Sequence, residues 1–180
     1  MRAQLAIAAA GMRITQIEVS SRDKPAAMRA LSPKGTVPVL HLPDGTVVDE
    51  SLDVMRWALA ISDPQGWLHA DEITTLVAEN DGAFKLALDR YKYAPRLPEH
   101  PASHYRDEAA HFLQKLEVRL AVWRYLQGDT PHLTDAAIFP FVRQFAGVDP
   151  AWFAVSPYRA LERWLNDWLA SALFAEVMKK

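Results

Sequence analysis

The chain has 180 residues, with 20 Lys and Arg against 22 Asp and Glu for a formal charge of −2, and half of its residues are hydrophobic. This near-neutral balance, with no basic block, argues against a nucleic-acid partner, and no run reaches the roughly 18 apolar residues of a membrane-spanning helix. The absence of cysteine rules out a disulfide framework, a thiolate metal site and any thiol nucleophile within the chain.

The first dozen residues have the outline of a short signal peptide, a charged start before an apolar run. Leu5, Ala8, Ala9 and Met12 nevertheless share one helical face and Gly11 suits a helix stop, so an amphipathic helix of the mature fold is predicted. Residues 14–19 alternate and carry β-branched side chains, which predicts a strand; residues 24–31 predict a helix ending before Ser32-Pro33. Residues 37–42 form a second predicted strand, Pro43-Asp44-Gly45 a tight turn, and residues 46–48 its hairpin partner. Ser51 then opens a helix to about Ile61, with its hydroxyl as N-cap and Asp53 at the positive end of the helix dipole.

Beyond about residue 70 the hydrophobic period becomes helical throughout, so the expected organisation is residues 1–62, a linker at 63–71, and an all-helical unit at 72–180. Ile73, Leu76, Val77, Phe84, Leu88 and Tyr91 stripe one long helix that stops before Pro95. Tyr105, Ala109, Phe112, Leu113, Leu116, Leu120 and Trp123 stripe a second, packed antiparallel to it. Residues 134–146 are apolar nearly all round and predict a central buried helix bent at Pro140. Ser156-Pro157 starts another helix with Tyr158, Leu161, Leu165, Trp168 and Leu169 inward, and a short helix at 171–178 closes the chain.

Two segments carry chemistry. Pro38 sits second in an apolar run, where it cannot donate to a ladder. A cis Val37-Pro38 bond would turn the Val37 N–H and C=O outward to pair with an extended peptide, whereas a trans bond would merely start an edge strand. At the start of the next helix, the Ser51 hydroxyl and neighbouring N–H groups can face a carboxylate while Glu50 holds an ammonium, an arrangement suited to an α-amino acid head group. The plainer reading is an N-cap beside a solvated Glu. His100, His104 and His111 do not close a metal site at their spacing, and solvated histidines are expected. The tryptophans, among them Trp57, Trp164 and Trp168, are expected in the core; Tyr91 and Tyr93 line an apolar pocket or a helix end.

Val37-Pro38 followed by a hairpin and then Glu50-Ser51 at a helix start resembles the glutathione-binding half of the thioredoxin-like glutathione S-transferase family. The segment from Leu133 to Phe141 is similar to the buried central helix of that family's second domain, and the likeness spans Met1–Lys180. The resemblance implies an α/β thioredoxin-like domain followed by a helical bundle, in a cytoplasmic homodimer with no resident metal. It further implies glutathione held at Thr36, Val37, Pro38, Glu50 and Ser51, and thiolate attack on an apolar electrophilic small molecule. A binding-only protein and a thiol reductase or isomerase of the same fold are the alternatives.

The chain departs from the family's pattern in carrying Thr36 where Lys or Gln is usual, and His132 where Ser or Thr precedes the buried Asp, here Asp135; Thr134 is the expected substitute cap. The resemblance also sets Met1 inside the first helix, so the first strand and the residue that stabilises the glutathione thiolate would precede Met1. No catalytic residue is therefore assigned. Hydrogen-bond accounting then predicts that the strands at 14–19 and 37–42 close directly on each other, or that another segment fills the place between them. Apolar surface near Trp57 and the helix starting at Glu72 is expected to be covered by the second subunit.

Overall fold

A computed structural model describes residues 1–20, 23–68, 74–97 and 99–179. The Ala-rich start forms α1, Arg2–Ala9, as strong helix formers should. Gly11, with φ of 68°, ends it: the Gly11 N–H donates to Ala8 C=O at 2.9 Å and Met12 N–H to Ile7 C=O at 3.1 Å, the paired bonds of a left-handed glycine stop.

The strand expected at residues 14–19 is not formed. The chain runs from Met12 to Ser20 without helix, turn or ladder, and the described sheet has two strands, β1 at Leu40–His41 and β2 at Val47–Val48. Neither a direct closure with β1 nor a segment between the two is seen among the described residues, yet α1 remains helical. The accounting assumed a buried edge, whereas residues 13–18 are exposed and water can serve their backbone groups.

After α2, Ala26–Leu31, the hairpin is as predicted in kind but shorter, because Pro38 and Pro43 cannot donate and bound the run. Leu40 faces Val48 and His41 faces Val47. Gly45 at φ 90° closes the turn by donating to Leu42 C=O at 3.0 Å, and Asp44 Oδ1 accepts from Thr46 N–H at 2.9 Å. Helix α3, Ser51–Ile61, buries Val54, Met55, Ala58 and Leu59, packing on α1.

The first long helix of the second unit is interrupted. It comprises α4, Thr74–Glu79, a π-helical turn at Asn80–Phe84, and α5, Lys85–Lys92; the Ile73 and Glu72 expectations lie outside the described residues. Helix α6, Ala102–Val122, buries its predicted stripe, with Phe84 and Phe112 rings 4.7 Å apart, except that Trp123 falls at the C-cap and is half exposed. Helix α7, Leu133–Ala146, is buried on nearly every side, with Pro140 inside it. The short α8, Pro150–Val155, was not predicted; Asp149 Oδ1 caps it by accepting from Trp152 N–H at 3.0 Å. Helix α9, Arg159–Leu169, buries Leu161, Leu165 and Trp168 but leaves Leu169 exposed, because the stripe has turned outward by its last residue. Helix α10, Ala172–Met178, starts at Ser171, whose hydroxyl accepts from Phe174 N–H at 3.1 Å.

Three polar clasps hold these elements. The buried Asp135 accepts from Leu126 N–H at 2.9 Å, His132 N–H at 3.0 Å and Trp164 Nε1–H at 2.8 Å. His132 occupies the N-cap position of α7, and Thr134 does not replace it: its Oγ1 is buried without a partner among the described residues. Glu117 on α6 accepts from Ala160 and Leu161 N–H at 3.0 and 2.8 Å, while Arg163 on α9 donates to Leu120 and Trp123 C=O at 2.7 and 3.2 Å. Arg2 on α1 donates from Nε to Ala137 C=O at 2.6 Å and through both terminal nitrogens to Asp81 of the π turn. No helix among the described residues is long and apolar enough to cross a membrane.

Candidate functional site

The loop before β1 is strapped to the start of α3. Ser32, fully buried, donates from Oγ to Asp49 Oδ2 at 2.8 Å, and Lys34 Nζ donates to Glu50 Oε1 at 2.9 Å and Asp49 Oδ1 at 3.4 Å. The Ser32 hydroxyl, then the Lys34 cation, hold the Asp49 carboxyl below its usual range; the Glu50 hydrogen bond leads those that push Lys34 up. These bonds tie Ser32 and Lys34 of the loop to Asp49 and Glu50.

Within that loop the Val37–Pro38 peptide is cis, which decides between the two geometries left open by the sequence. Val37 is 61 % exposed, and neither its N–H nor its C=O is hydrogen-bonded among the described residues. Thr36 is exposed and Pro38 half buried. Glu50, not Ser51, takes the N-cap position of α3, and its side chain makes no capping hydrogen bond, so the expected Ser51 cap is corrected. Ser51 is the first helical residue because Glu50 already accepts from Val54 N–H through its carbonyl at 2.9 Å. The first-turn N–H groups of α3 can face an anionic group, against which the Asp53 carboxylate, at the third helical position, competes.

Sequence reasoning named Thr36, Val37, Pro38, Glu50 and Ser51 as candidates and did not anticipate the bonds from Ser32 and Lys34 to Asp49 and Glu50 that hold the loop. Those pairs span 15 to 17 positions, beyond any local pattern. Of the remaining candidates, Tyr91 is buried against Phe145 with rings 5.2 Å apart, while Tyr93 is exposed beside the Lys92 and Arg96 cations. His100 and His104 stack at 4.1 Å and His104 pairs with Glu108 at 3.4 Å. No group of three or more metal-ligating side chains occurs among the described residues.

A model of the glutathione S-transferase N-terminal domain matches residues 1–60, and one of its C-terminal domain matches residues 79–167. The chain belongs to the glutathione S-transferase family. Solved structures of the family share the fold at low identity. A Gtt2-class glutathione S-transferase of Vibrio parahaemolyticus is 19% identical over 98% of this chain and 90% of its own, with a TM-score of 0.77. Glutathione transferase F2 from Populus trichocarpa is 17% identical over 98% and 91%, with a TM-score of 0.80. A glutathione transferase from Burkholderia graminis, with two glutathione molecules bound per subunit, is 17% identical over 98% and 81%, also at 0.80. No curated protein matches in sequence.

Proposed function

We propose that this chain binds glutathione in the site between residues 32–38 and 49–51. The observation that carries the reading is the strapped loop: it leaves the Val37 N–H and C=O open beside an uncapped α3 start. Val37 pairs with the cysteinyl backbone of the tripeptide, the first-turn N–H groups and Ser51 hydroxyl hold the γ-glutamyl carboxylate, and Glu50 holds the ammonium. Lys34 already sits on Glu50, so the ligand ammonium shares that carboxylate or displaces Lys34 from it. Thr36 borders the tripeptide with a shorter side chain than Lys or Gln. Calorimetry with glutathione tests this. Binding is expected, weakened about tenfold or more by Glu50→Ala and by Ser51→Ala, since each loses a charge-assisted contact. No heat at millimolar glutathione, or unchanged binding by both variants, would overturn it.

The family reaction joins the glutathione sulfur to an electrophilic carbon as a leaving group departs, and it needs a donor near the sulfur to favour the thiolate. Residues 1–180 contain no cysteine, and Arg2, at the start of α1, is turned inward onto Ala137 and Asp81. We therefore favour binding over turnover for this polypeptide, with an apolar electrophile as the co-substrate class and thiol exchange as the other alternative. Little conjugation of glutathione to a chloronitrobenzene is expected; robust turnover by the 180-residue chain would refute this.

The same reading includes a homodimer. Trp57 packs partly into the core and offers less surface than the sequence suggested. Support comes instead from an open groove of about 500 Å3 between α4 and α6, lined by Leu76 and the exposed Val118 with the Glu79–Lys115 ion pair. Sedimentation is expected to show dimers at micromolar concentration. A 20.2 kDa species throughout would contradict it.

A further inference from the structure

We propose that Lys34 is an internal occupant of the ammonium seat on Glu50, and that glutathione takes that carboxylate by exchange, its α-ammonium replacing the lysine as Lys34 closes onto Asp49. The exchange rests on the reading that glutathione lies in this site, and it makes Lys34 the residue that sets how much the ligand's free amine contributes. Nζ of Lys34 donates to Glu50 Oε1 at 2.9 Å and to Asp49 Oδ1 at 3.4 Å. One ammonium thus spans two carboxylates, and its shorter bond is to the one that the ligand's ammonium would use. Two ammonium groups crowded on one carboxylate repel each other.

Of the two cations, Lys34 is the one with a second place to go. Asp49 is already its partner, its four-carbon stem is flexible, and the Lys34 and Glu50 side chains are 56 % and 57 % exposed, so water serves both while they part. The loop does not depend on the bond that breaks. Asp49 Oδ2 accepts from the buried Ser32 hydroxyl at 2.8 Å while Oδ1 faces Lys34, so full transfer of the lysine onto Oδ1 leaves the Ser32 strap in place. With glutathione bound, two cations face two carboxylates, one each. The amine's contribution is therefore net of the lysine it displaces. Without the Lys34 charge, Asp49 and Glu50 meet the ligand as two uncompensated negative charges, and the amine is the cation that both attract. Removing the amine from the ligand must then cost less affinity in the parent chain than in a chain lacking that charge.

Two ligands and three proteins separate this exchange from any general effect on the site. The ligands are glutathione and glutaryl-cysteinyl-glycine, which keeps both carboxylates and the thiol and lacks only the amine. The proteins are the parent, Lys34→Met, which keeps an apolar stem without the charge, and Lys34→Arg, which keeps the charge. Calorimetry at low ionic strength leaves an exposed pair least screened, and such a pair shifts an equilibrium by up to about fivefold. Lys34→Met should bind glutathione about threefold more tightly than the parent and the des-amino ligand no more tightly, so the ratio of the two dissociation constants rises about threefold. Lys34→Arg should return the ratio to that of the parent. Because each ratio compares two ligands on one protein, a loosened loop that weakens both alike does not move it. A ratio unchanged by Lys34→Met, or glutathione bound more weakly by that variant than by the parent, would overturn the exchange and leave the glutathione site standing. No heat from either ligand with the parent and Lys34→Met alike would overturn the site itself, and the exchange with it.

Discussion

Asp135→Ala is expected to lower the unfolding free energy by on the order of 3–6 kcal/mol, a large share of the ~5–15 kcal/mol that holds a domain together. The reason lies in counting donors. Leu126 N–H, His132 N–H and Trp164 Nε1–H converge on one carboxylate inside the bundle, and truncation leaves all three without water or partner. Asp135→Asn should cost less, because its one oxygen still accepts from Leu126 and Trp164 while the amide nitrogen faces the His132 N–H. Burial pushes the Asp135 carboxyl up to about 6, outweighing the three donors that favour its charge. A folded carboxyl that keeps its proton to about pH 6, against about 4 when unfolded, gives stability that is complete below pH 4 and is lost as pH rises to 6. That contribution is about 3 kcal/mol by linkage. Urea unfolding between pH 4 and 7 checks both parts: the difference between parent and Asp135→Asn should narrow as pH rises through that window. A constant difference would refute the pH dependence, and a loss below about 1 kcal/mol in Asp135→Ala would refute the donor count.

Arg2→Met is expected to cost on the order of 2–4 kcal/mol. The guanidinium is buried, bonded to Ala137 C=O of α7 and to both oxygens of Asp81, and lies 4.5 Å from the centre of the Phe141 ring. Met keeps the apolar stem and removes the charge. Asp81 would keep its hydrogen bond from Asn80 Nδ2 at 2.8 Å and is 39 % exposed, so water recovers part of its solvation and the loss stays below that of a fully buried pair. Asp81→Asn leaves the more deeply buried cation under-satisfied and should cost at least as much. The double variant should then recover about 1–3 kcal/mol relative to the sum, measured by denaturant unfolding of all four proteins. Additive losses would show that the two side chains act independently.

The helical stripes were legible because they rest on a local period: Phe112, Leu113, Leu116 and Leu120 are all buried. The period says nothing of where a helix stops: Trp123 lies just past the end of α6, and Leu169, the last residue of α9, already faces outward. Residues 14–19 carry a strand's pattern, but a strand exists only with a partner, and pattern does not supply one. Val37, Glu50 and Ser51 could be proposed from residue type at a loop and a helix start. The bonds from Ser32 and Lys34 to Asp49 and Glu50 could not, since each joins positions that only the fold brings together. Arg2 is the extreme case: its partners lie 79 and 135 positions away.

The exchange of side chains between α6 and α9 has a consequence for how the bundle breathes. Helix ends ordinarily fray one by one, because their last donors and acceptors are served by water. Here Glu117 serves the opening donors of α9 and Arg163 the closing acceptors of α6, so unwinding either end strips the other of its partner. The two ends must open together, and the amides of Ala160 and Leu161 exchange with solvent at the pace of the bundle as a whole.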